Sequence, residues 1–249
     1  MRRLQTRLLA AVALAALTAG GLSACSELDQ GNQKSFEDDA TVSQKITSIR
    51  LDSSDGGVKV DASENISTAS VHRKVSYRGD KPSGTSFSVQ GGVMTLSGCG
   101  KDCGLDYVVK VPAGLPVSGG TSNGSLILSD VGVVDVHTNN GEIAVDKARG
   151  PVKLRTSNGG VHVQDIKGGD IDTQTSNGEV TIRTATPRNI KARTTNGSLT
   201  VTTPPADYRI SASTSQGAKK VAFKNDPSGK YHLDLSTTNG DLTVEPTGQ

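Results

Sequence analysis

Cysteine, histidine and carboxylate side chains are the groups in this sequence that could carry chemistry. Cys99 and Cys103 lie in the segment GCGKDCG at residues 98–104. A redox pair would suit a spacer of two residues rather than three, and a zinc site would need four nitrogen or sulfur ligands, which the nearby sequence does not offer. The first 25 residues, described below, have the features of an export signal, and thiols outside the cytoplasm are oxidised. The spacing therefore predicts a structural disulfide between Cys99 and Cys103.

The histidines and the loop carboxylates do not form a recognisable active-site pattern. A glycosidase needs two carboxylates at a defined separation in a cleft that binds sugar. The chain has no tryptophan, three phenylalanines and four tyrosines, so aromatic platforms for sugar rings are scarce. No nucleophile triad, phosphate loop or metalloprotease motif is present. We predict a protein that is not an enzyme and has no cofactor or metal. The side chains considered are those of His72, His137, His162, His232, Asp130, Asp135, Asp165, Asp170 and Asp172.

The first 25 residues have the features of an export signal. Arg2, Arg3 and Arg7 precede an apolar run at residues 8–17, which is roughly half of the ~20 residues that a membrane-spanning helix needs. The sequence LSAC at residues 22–25 resembles the lipobox of bacterial lipoproteins, in which the cysteine is acylated and the chain is cut before it. This resemblance implies a signal peptide at residues 1–24, an acyl anchor such as palmitate on Cys25, and a position on the extracytoplasmic face of a cell-envelope membrane. A conventional signal with an incidental cysteine is the alternative.

The charge of the mature chain argues against a nucleic-acid partner. Removal of residues 1–24 takes away three arginines and no acidic residue, which leaves 24 basic and 25 acidic residues. No basic patch with interleaved aromatic residues is present. Residues 25–45 include the acidic run EDD at 37–39 and follow no strand or helix period. We predict that this segment is a flexible tether between the lipid and the folded part.

A short signature recurs along the chain and organises the rest of the sequence. Its form is Thr-(Ser/Thr/Asn)-Asn-Gly, with one variant that ends in Gln216 and Gly217, and its copies are 17 to 23 residues apart. Alternate residues on both sides of each copy are apolar, and threonine stands two residues before every anchor. Each repeat therefore predicts two short strands joined at a corner. The asparagine anchors are Asn123, Asn140, Asn158, Asn177, Asn196 and Asn239.

Further copies and one irregular copy complete the pattern. Asp55-Gly56 and Gly91-Gly92 resemble weaker corners upstream, whereas the copy at Gln216 has Lys219 at an inward position. We divide the folded part into an N-terminal β region with the disulfide at residues 46–110 and a continuous repeat region at residues 111–249.

Two all-β architectures agree with this pattern. Asn-Gly is favourable at a corner that needs positive φ, and it is also a strong hairpin signal. We favour a β-solenoid of about 7–9 coils with 17–20 residue repeats, right-handed by the usual rule for parallel crossovers. In a solenoid each threonine hydroxyl and each asparagine amide could bond its copies in the coils above and below. An antiparallel hairpin meander or sandwich is the alternative.

The Thr-Ser-Asn-Gly repeats and the segment YVVKVP at residues 107–112 resemble the DUF4097-like, candidate-adhesin family of β-strand repeat proteins. The resemblance extends over about residues 46–244. It implies a β-repeat fold, an envelope location and an adhesive or envelope-sensing role, and it carries over no catalytic residue.

Basic residues near the corners form the one candidate binding face. Lys153 and Arg155 occupy the same repeat positions as Lys191 and Arg193, two coils apart. Such a face could hold an anionic cell-wall polymer, lipid headgroups or an envelope protein. We expect a lipid-anchored adhesin or surface scaffold. The alternatives are a sensor of envelope stress and, least favoured, an enzyme that acts on polysaccharide.

Overall fold

The structure is a computed structural model that describes residues 33–248. The predicted signal peptide and Cys25 lie outside the described residues. Every regular element in the described part is a β-strand. The strands are β1 Gln33–Val42, β2 Ser48–Asp52, β3 Val58–Ser63, β4 Ala69–Arg78, β5 Phe87–Gln90, β6 Val93–Ser97, β7 Cys103–Pro112, β8 Val117–Asn123, β9 Leu126–Ser129, β10 Val134–Asn140, β11 Ile143–Asp146, β12 Val152–Asn158, β13 Val161–Gln164, β14 Ile171–Gln174, β15 Val180–Arg183, β16 Ile190–Asn196, β17 Leu199–Thr203, β18 Tyr208–Gln216, β19 Lys219–Val221, β20 Tyr231–Asn239 and β21 Leu242–Pro246.

The strands form two long sheets in which almost all neighbours are parallel. Sheet 1 has the order β1-β4-β7-β3-β9-β11-β13-β15-β17-β21-β19, and sheet 2 has the order β18-β20-β16-β14-β12-β10-β8-β2-β6-β5. The strands on either side of each Asn-Gly corner lie in different sheets and do not pair with each other. The predicted β-solenoid is therefore confirmed and the meander is wrong for the repeat. Handedness stays a prediction.

Each coil consists of one strand from each sheet, and nine such coils stack in the described residues. Residues alternate along each strand, so one set faces the space between the sheets and the other faces outward. The inward rows are apolar and buried, as the alternation predicts; Val134, Val152 and Ile171 are neighbours in one of them. Burial of these rows is the main source of stability of a solenoid, because a single coil cannot bury its own apolar face.

Chain order and stacking order differ at both ends. The coil formed by β6 and β7 lies nearer the end of the solenoid than the coil of β2 and β3, which precedes it in the chain. At the other end, the coil of β18 and β19 lies beyond the coil of β20 and β21, which follows it in the chain.

The predicted corner at Gly91-Gly92 is wrong, because it joins β5 and β6 as an antiparallel hairpin. The corner of that coil is instead the loop that contains Cys99.

The N-terminal end contains a strand that the sequence did not predict. Residues 33–42 form β1, which pairs in antiparallel fashion with β4 along its whole length. A flexible tether that extends to residue 45 is therefore wrong for this part of the segment. Residues 25–32 lie outside the described part, and the tether prediction is not tested there.

Candidate functional site

The asparagines of the Asn-Gly corners form a continuous side-chain ladder. The Nδ2 of Asn140 donates a hydrogen bond to Oδ1 of Asn123 at 2.8 Å, and the Nδ2 of Asn158 donates to Oδ1 of Asn140 at 2.9 Å. The same contact continues from coil to coil through Asn177, Asn196 and Asn239 at 2.7–2.9 Å. The predicted asparagine ladder is present. It holds the corners of successive coils in register along one side of the solenoid.

The ladder has a direction, because every amide donates toward the N-terminal end. Its first acceptor is a carboxylate, Oδ1 of Asp55, which receives a hydrogen bond from Nδ2 of Asn123 at 2.7 Å. A carboxylate accepts but does not donate. It therefore fits the first position, where no donor is needed, and its negative charge faces the N–H end of the aligned amides.

The threonine row makes a different contact from the predicted one. The Thr156 hydroxyl donates to the backbone carbonyl of Gly141 at 3.0 Å, and Thr175 donates to Gly159 in the same way. The hydroxyls do not bond to each other, so the prediction of threonine self-pairing is wrong. Each of these hydroxyls is instead paired with a corner carbonyl of the neighbouring coil. The same donation to a corner glycine is made by Thr138, Thr194, Thr214 and Thr237.

The glycine of each corner is required both by conformation and by space. Gly159 has φ +154°, and a Cβ at this position would overlap the carbonyl oxygen of Gly141 in the neighbouring coil. Gly141 and Gly178 show the same conformation and the same overlap. The asparagines have negative φ. The prediction that asparagine is chosen because it tolerates positive φ is therefore wrong. They are needed for the ladder, whereas glycine alone supplies the unusual φ.

The predicted binding face lies on the outward side of sheet 2. Lys153 and Lys191 belong to a row whose charges alternate in sign from coil to coil. The Nζ of Lys153 lies 3.3 Å from Oδ2 of Asp135, and Nη2 of Arg193 lies 2.8 Å from Oδ2 of Asp234. Half of the predicted cations are therefore neutralised within the face. The alternating part of the row is Asp135, Lys153, Asp172, Lys191 and Asp234, and the row continues through Ser118 to Arg50 at one end and to Ser211 at the other.

The two remaining cations are the most available groups of this face. Arg155 is exposed, and neither Arg155 nor Lys191 has an ion-pair partner among residues 33–248. A shallow groove of about 380 Å³ crosses the face beside them, with Lys153, Lys191 and Asn189 in its lining. The groove offers both charge signs and amide groups to a polar ligand.

The outward side of sheet 1 carries a second polar face. The His162 ring lies over Gly160, with its Nε2 at 3.8 Å from Oε1 of Glu142 and 3.7 Å from Oε1 of Glu179. A groove of about 570 Å³ follows this face and is lined by Ile127 and His162 among others. The row through His162 holds a different residue type at each of its neighbouring coils, Ile127, Ala144 and Thr181, so a ligand along the solenoid axis would meet an equivalent position but not the same side chain at every step.

Comparison with protein-family models identifies the family to which the repeat region belongs. Residues 113–245 match the family described as Toastrack DUF4097. The chain belongs to the Toastrack DUF4097 family. The matched part begins directly after β7 and ends within β21, and it contains every asparagine of the ladder.

Three solved structures resemble this Toastrack chain at low similarity. They are a candidate cell adhesion protein from Clostridium sporogenes (16% identity, 86% of this chain and 100% of that chain, TM-score 0.34), a candidate adhesin from Bacteroides fragilis (12%, 86% and 97%, 0.42) and a candidate adhesin from Parabacteroides merdae (12%, 88% and 97%, 0.40). No curated protein matches the chain.

The second corner of the Toastrack coil contains polar contacts that the sequence did not predict. Asp130, Lys147 and Asp165 each have φ between +51° and +56° at the same repeat position. Oδ1 of Asp130 lies 3.0 Å from Nζ of Lys167 and 3.3 Å from Nη2 of Arg149. Hydrogen bonding from Lys167 lowers the pKa of Asp130 below its ordinary value. Asp130 thus ties three coils together and is not a plain solvated acid.

A clasp of opposite charges holds β1 to β4, ahead of the part that matches the Toastrack model. Glu37, Asp38 and Asp39 stand directly across from Lys74, Arg73 and His72 in the strand register. We call these six residues the β1 clasp. Its centre is the pair of Asp38 and Arg73, in which Nη2 of Arg73 lies 2.7 Å from Oδ2 of Asp38, and the Arg73 side chain is only 7% exposed.

The clasp connects to a buried polar network. The Nη1 of Arg73 donates to Oγ of Ser86 at 2.7 Å, and the Tyr107 hydroxyl donates to the carbonyl of Ser97 at 2.8 Å. Burial raises the pKa of Tyr107 to about 12, so this hydroxyl stays protonated as a donor. The hydrogen bond from Arg73 lowers the pKa of Asp38.

The lowered pKa of Asp38 predicts that the β1 clasp weakens in acid. A carboxyl with a depressed folded-state pKa stabilises the fold above its unfolded pKa of about 3.9, and this contribution is lost as the pH falls through the folded-state value. We expect the protection factors of residues 37–40, which compare each amide exchange rate with its intrinsic rate at the same pH, to be high at pH 7 and to fall selectively below about pH 4. In Asp38→Asn the selective acid effect should disappear, because that variant has already lost the charge. An equal fall in the protection factors of the coil around Val145 would contradict this prediction.

The predicted cysteine pair has disulfide geometry. The Cα atoms of Cys99 and Cys103 lie 5.8 Å apart, and their sulfur atoms are in bonding contact. The bridge closes the corner between β6 and β7. Within residues 33–248 no helix is long and apolar enough to cross a membrane, and no cluster of three or more His, Cys, Asp or Glu side chains is arranged to hold a metal ion.

Proposed function

We propose that this chain is a non-enzymatic, lipid-anchored β-solenoid of the cell envelope that acts as an adhesin or surface scaffold. The observation that carries the proposal is the strict coil-to-coil register of outward polar rows on both sheets. A row such as that from Asp135 to Asp234 places one charged side chain at every coil, at a strand spacing of about 4.8 Å, with the sign of the charge alternating. Contacts of modest affinity then add along a repetitive ligand, because each further contact forms at high effective concentration.

The titratable groups support a binding role rather than catalysis. Active sites concentrate groups with perturbed pKa values in a cleft. Here the groups whose pKa is clearly shifted belong to structural contacts such as the β1 clasp and the Asp130 corner. Neither the 380 Å³ groove nor the 570 Å³ groove is lined by one of them.

The lipid anchor rests on the sequence of residues 22–25, and it has a direct test. A full-length chain with Cys25→Ser should lose incorporation of labelled palmitate and should leave the membrane fraction, whereas Cys99→Ser with Cys103→Ser should keep both properties. Equal membrane association of the Cys25→Ser chain would refute the anchor.

The binding role is tested by removing two cations from the outward side of sheet 2. We expect full-length protein with Arg155→Gln and Lys191→Gln, the two cations of the predicted face without an ion-pair partner among residues 33–248, to bind anionic cell-wall polymer roughly tenfold or more weakly, since each basic residue near an anionic surface contributes about 1 kcal/mol. The matched control is Arg183→Gln with Lys220→Gln, which removes the same charge from the outward side of sheet 1. Unchanged binding by the Arg155/Lys191 variant, or an equal loss in the control, would exclude this face.

A further inference from the structure

Every asparagine of the ladder is followed by glycine, and this dipeptide can modify itself. The glycine backbone nitrogen, once it has lost its proton, attacks Cγ of the asparagine side chain; a five-membered succinimide ring closes and ammonia leaves. Water then opens the ring at either carbonyl and yields aspartate or isoaspartate. Glycine favours the attack because it has no side chain and its backbone rotates freely, and asparagine is accordingly a thermolabile residue. The six pairs begin at Asn123, Asn140, Asn158, Asn177, Asn196 and Asn239.

The stacking of the coils engages the attacking nitrogen of each of these pairs. The N–H of Gly159 donates to the backbone carbonyl of Asn177 at 2.8 Å, and the N–H of Gly178 donates to that of Asn196 at 2.8 Å. Such a nitrogen must first lose its hydrogen bond before it can give up its proton and approach Cγ, so the geometry for reaction is not available in the folded state. The other glycines of the ladder donate in the same way at 2.8–2.9 Å; they are Gly124, Gly141, Gly197 and Gly240.

Burial of the asparagines does not provide this protection. Asn158 and Asn177 are exposed, so water and hydroxide reach their side chains. The carboxamide of Asn158 is held only by its two ladder contacts, at 2.9 Å to Asn140 and 2.9 Å to Asn177. The backbone hydrogen bond of the glycine is therefore the contact that separates an inert pair from a reactive one.

The corner of the last coil, formed by β18 and β19, lacks this hydrogen bond. Gly217 is exposed, and its N–H has no acceptor among residues 33–248. The loop at residues 222–229 covers the start of β18, where Oδ1 of Asn225 accepts from the N–H of Ile210 at 2.8 Å, but it makes no hydrogen bond to the corner. Here the sequence has Gln216 in place of asparagine. Glutamine is one methylene longer, so the same attack would have to close a six-membered ring, which forms far more slowly.

We propose that the Asn-Gly corners are deamidation sites that the stacked coils keep inert, and that Gln216 replaces asparagine at the corner where stacking ends. The Gln216 side chain makes no hydrogen bond within the described part of the chain, so it is not there to extend the ladder. Its backbone carbonyl accepts from the N–H of Gly240 at 2.8 Å. The last coil thus protects Asn239 and carries no reactive asparagine itself. Deamidation inside the ladder would put a carboxylate where an amide must donate, and it would break the contact between two coils.

Two single substitutions in the full-length chain create a new Asn-Gly pair at opposite ends of the ladder. Gln216→Asn places asparagine before the free N–H of Gly217, whereas the control Asp55→Asn places it before Gly56, whose N–H donates to the carbonyl of Asn123 at 2.6 Å. The folded proteins are aged in mildly alkaline buffer, and peptide mapping by mass spectrometry measures deamidation at each asparagine. Position 216 should convert at least about tenfold faster than position 55, because a hydrogen-bonded amide reacts only through local opening.

The same variants aged in concentrated urea show whether folding causes the difference. There all Asn-Gly pairs should convert at similar rates, since their local sequences are alike. Circular dichroism checks that both variants are folded in buffer, which is expected because the Gln216 side chain is exposed and makes no contact that asparagine would lose. Equal conversion of positions 216 and 55 in the folded proteins would overturn the proposal. Conversion of Asn239 as fast as position 216, or of Asn158 as fast in buffer as in urea, would also overturn it.

Discussion

Replacement of Gly159 by alanine is expected to destabilise the protein by about 3 kcal/mol or more, because the corner allows no side chain. Gly159 has φ +154°, a region that L residues rarely adopt, and a Cβ would overlap the backbone of Gly141 in the next coil. Two backbones must separate to make room, which also strains the hydrogen bond that Thr175 donates to the Gly159 carbonyl. Urea unfolding of the variant and the wild type measures the difference.

The neighbouring glycine supplies the control. The one tight contact of a Cβ on Gly160 would be with Nε2 of His162 at 3.1 Å, at the tip of a side chain that can move, whereas the backbone oxygen of Glu179 lies at 3.6 Å, an ordinary van der Waals distance. Gly160→Ala should therefore change the free energy of unfolding by less than about 1 kcal/mol. Equal effects at the two positions would mean that the corners are not stacked backbone to backbone.

The substitution Asn158→Asp is expected to cost about 2 kcal/mol at neutral pH, although it changes only one side-chain group. The new carboxylate can still accept from Nδ2 of Asn177, but it cannot donate to Oδ1 of Asn140, which lies 2.9 Å from Nδ2 in the wild type. Two acceptor oxygens would then face each other. Protonation restores the donor, so the folded-state pKa of this carboxyl should be raised, and the deficit relative to wild type should shrink as the pH falls toward about 4.

Two control variants show whether the cost of Asn158→Asp comes from the lost hydrogen-bond donor or from the added charge. Asp55→Asn keeps the acceptor for Asn123, so it should change stability by less than about 1 kcal/mol. Ser157→Asp adds the same charge one residue from Asn158 at an exposed position outside the ladder, and it should be tolerated. If Ser157→Asp is as costly as Asn158→Asp, charge and not lost donation causes the effect.

The period of the sequence was sufficient to predict the interior of the repeat. Inward rows such as Val134, Val152 and Ile171 follow from strict alternation, and identical anchors favoured parallel stacking over hairpins. The hydrogen-bond acceptor of the threonine hydroxyls could not be predicted from the period of the sequence. It is a backbone carbonyl such as that of Gly141, whose distance from a hydroxyl depends on how neighbouring coils are offset.

The parts that escaped prediction depend on long-range pairing. Strand β1 has little apolar alternation because both of its faces are largely exposed, and charge pairs with β4 fix it instead. The order EDD at residues 37–39 against HRK at residues 72–74 was the available signal, since antiparallel pairing places opposite charges together. Lys219 marked an irregular copy, but only stacking order explains it as the residue at the end of the solenoid.

The measurement that tests the central claim most directly is NMR detection of contacts between the side-chain amides of the ladder. Stacking in register predicts a nuclear Overhauser effect between the Asn158 side-chain amide and Asn140, 18 residues away, and another between Asn177 and Asn158, 19 residues away. Absence of these contacts, together with antiparallel backbone contacts between β12 and β13 across the Asn158-Gly159 corner, would contradict the solenoid and the rows on which the proposed function rests.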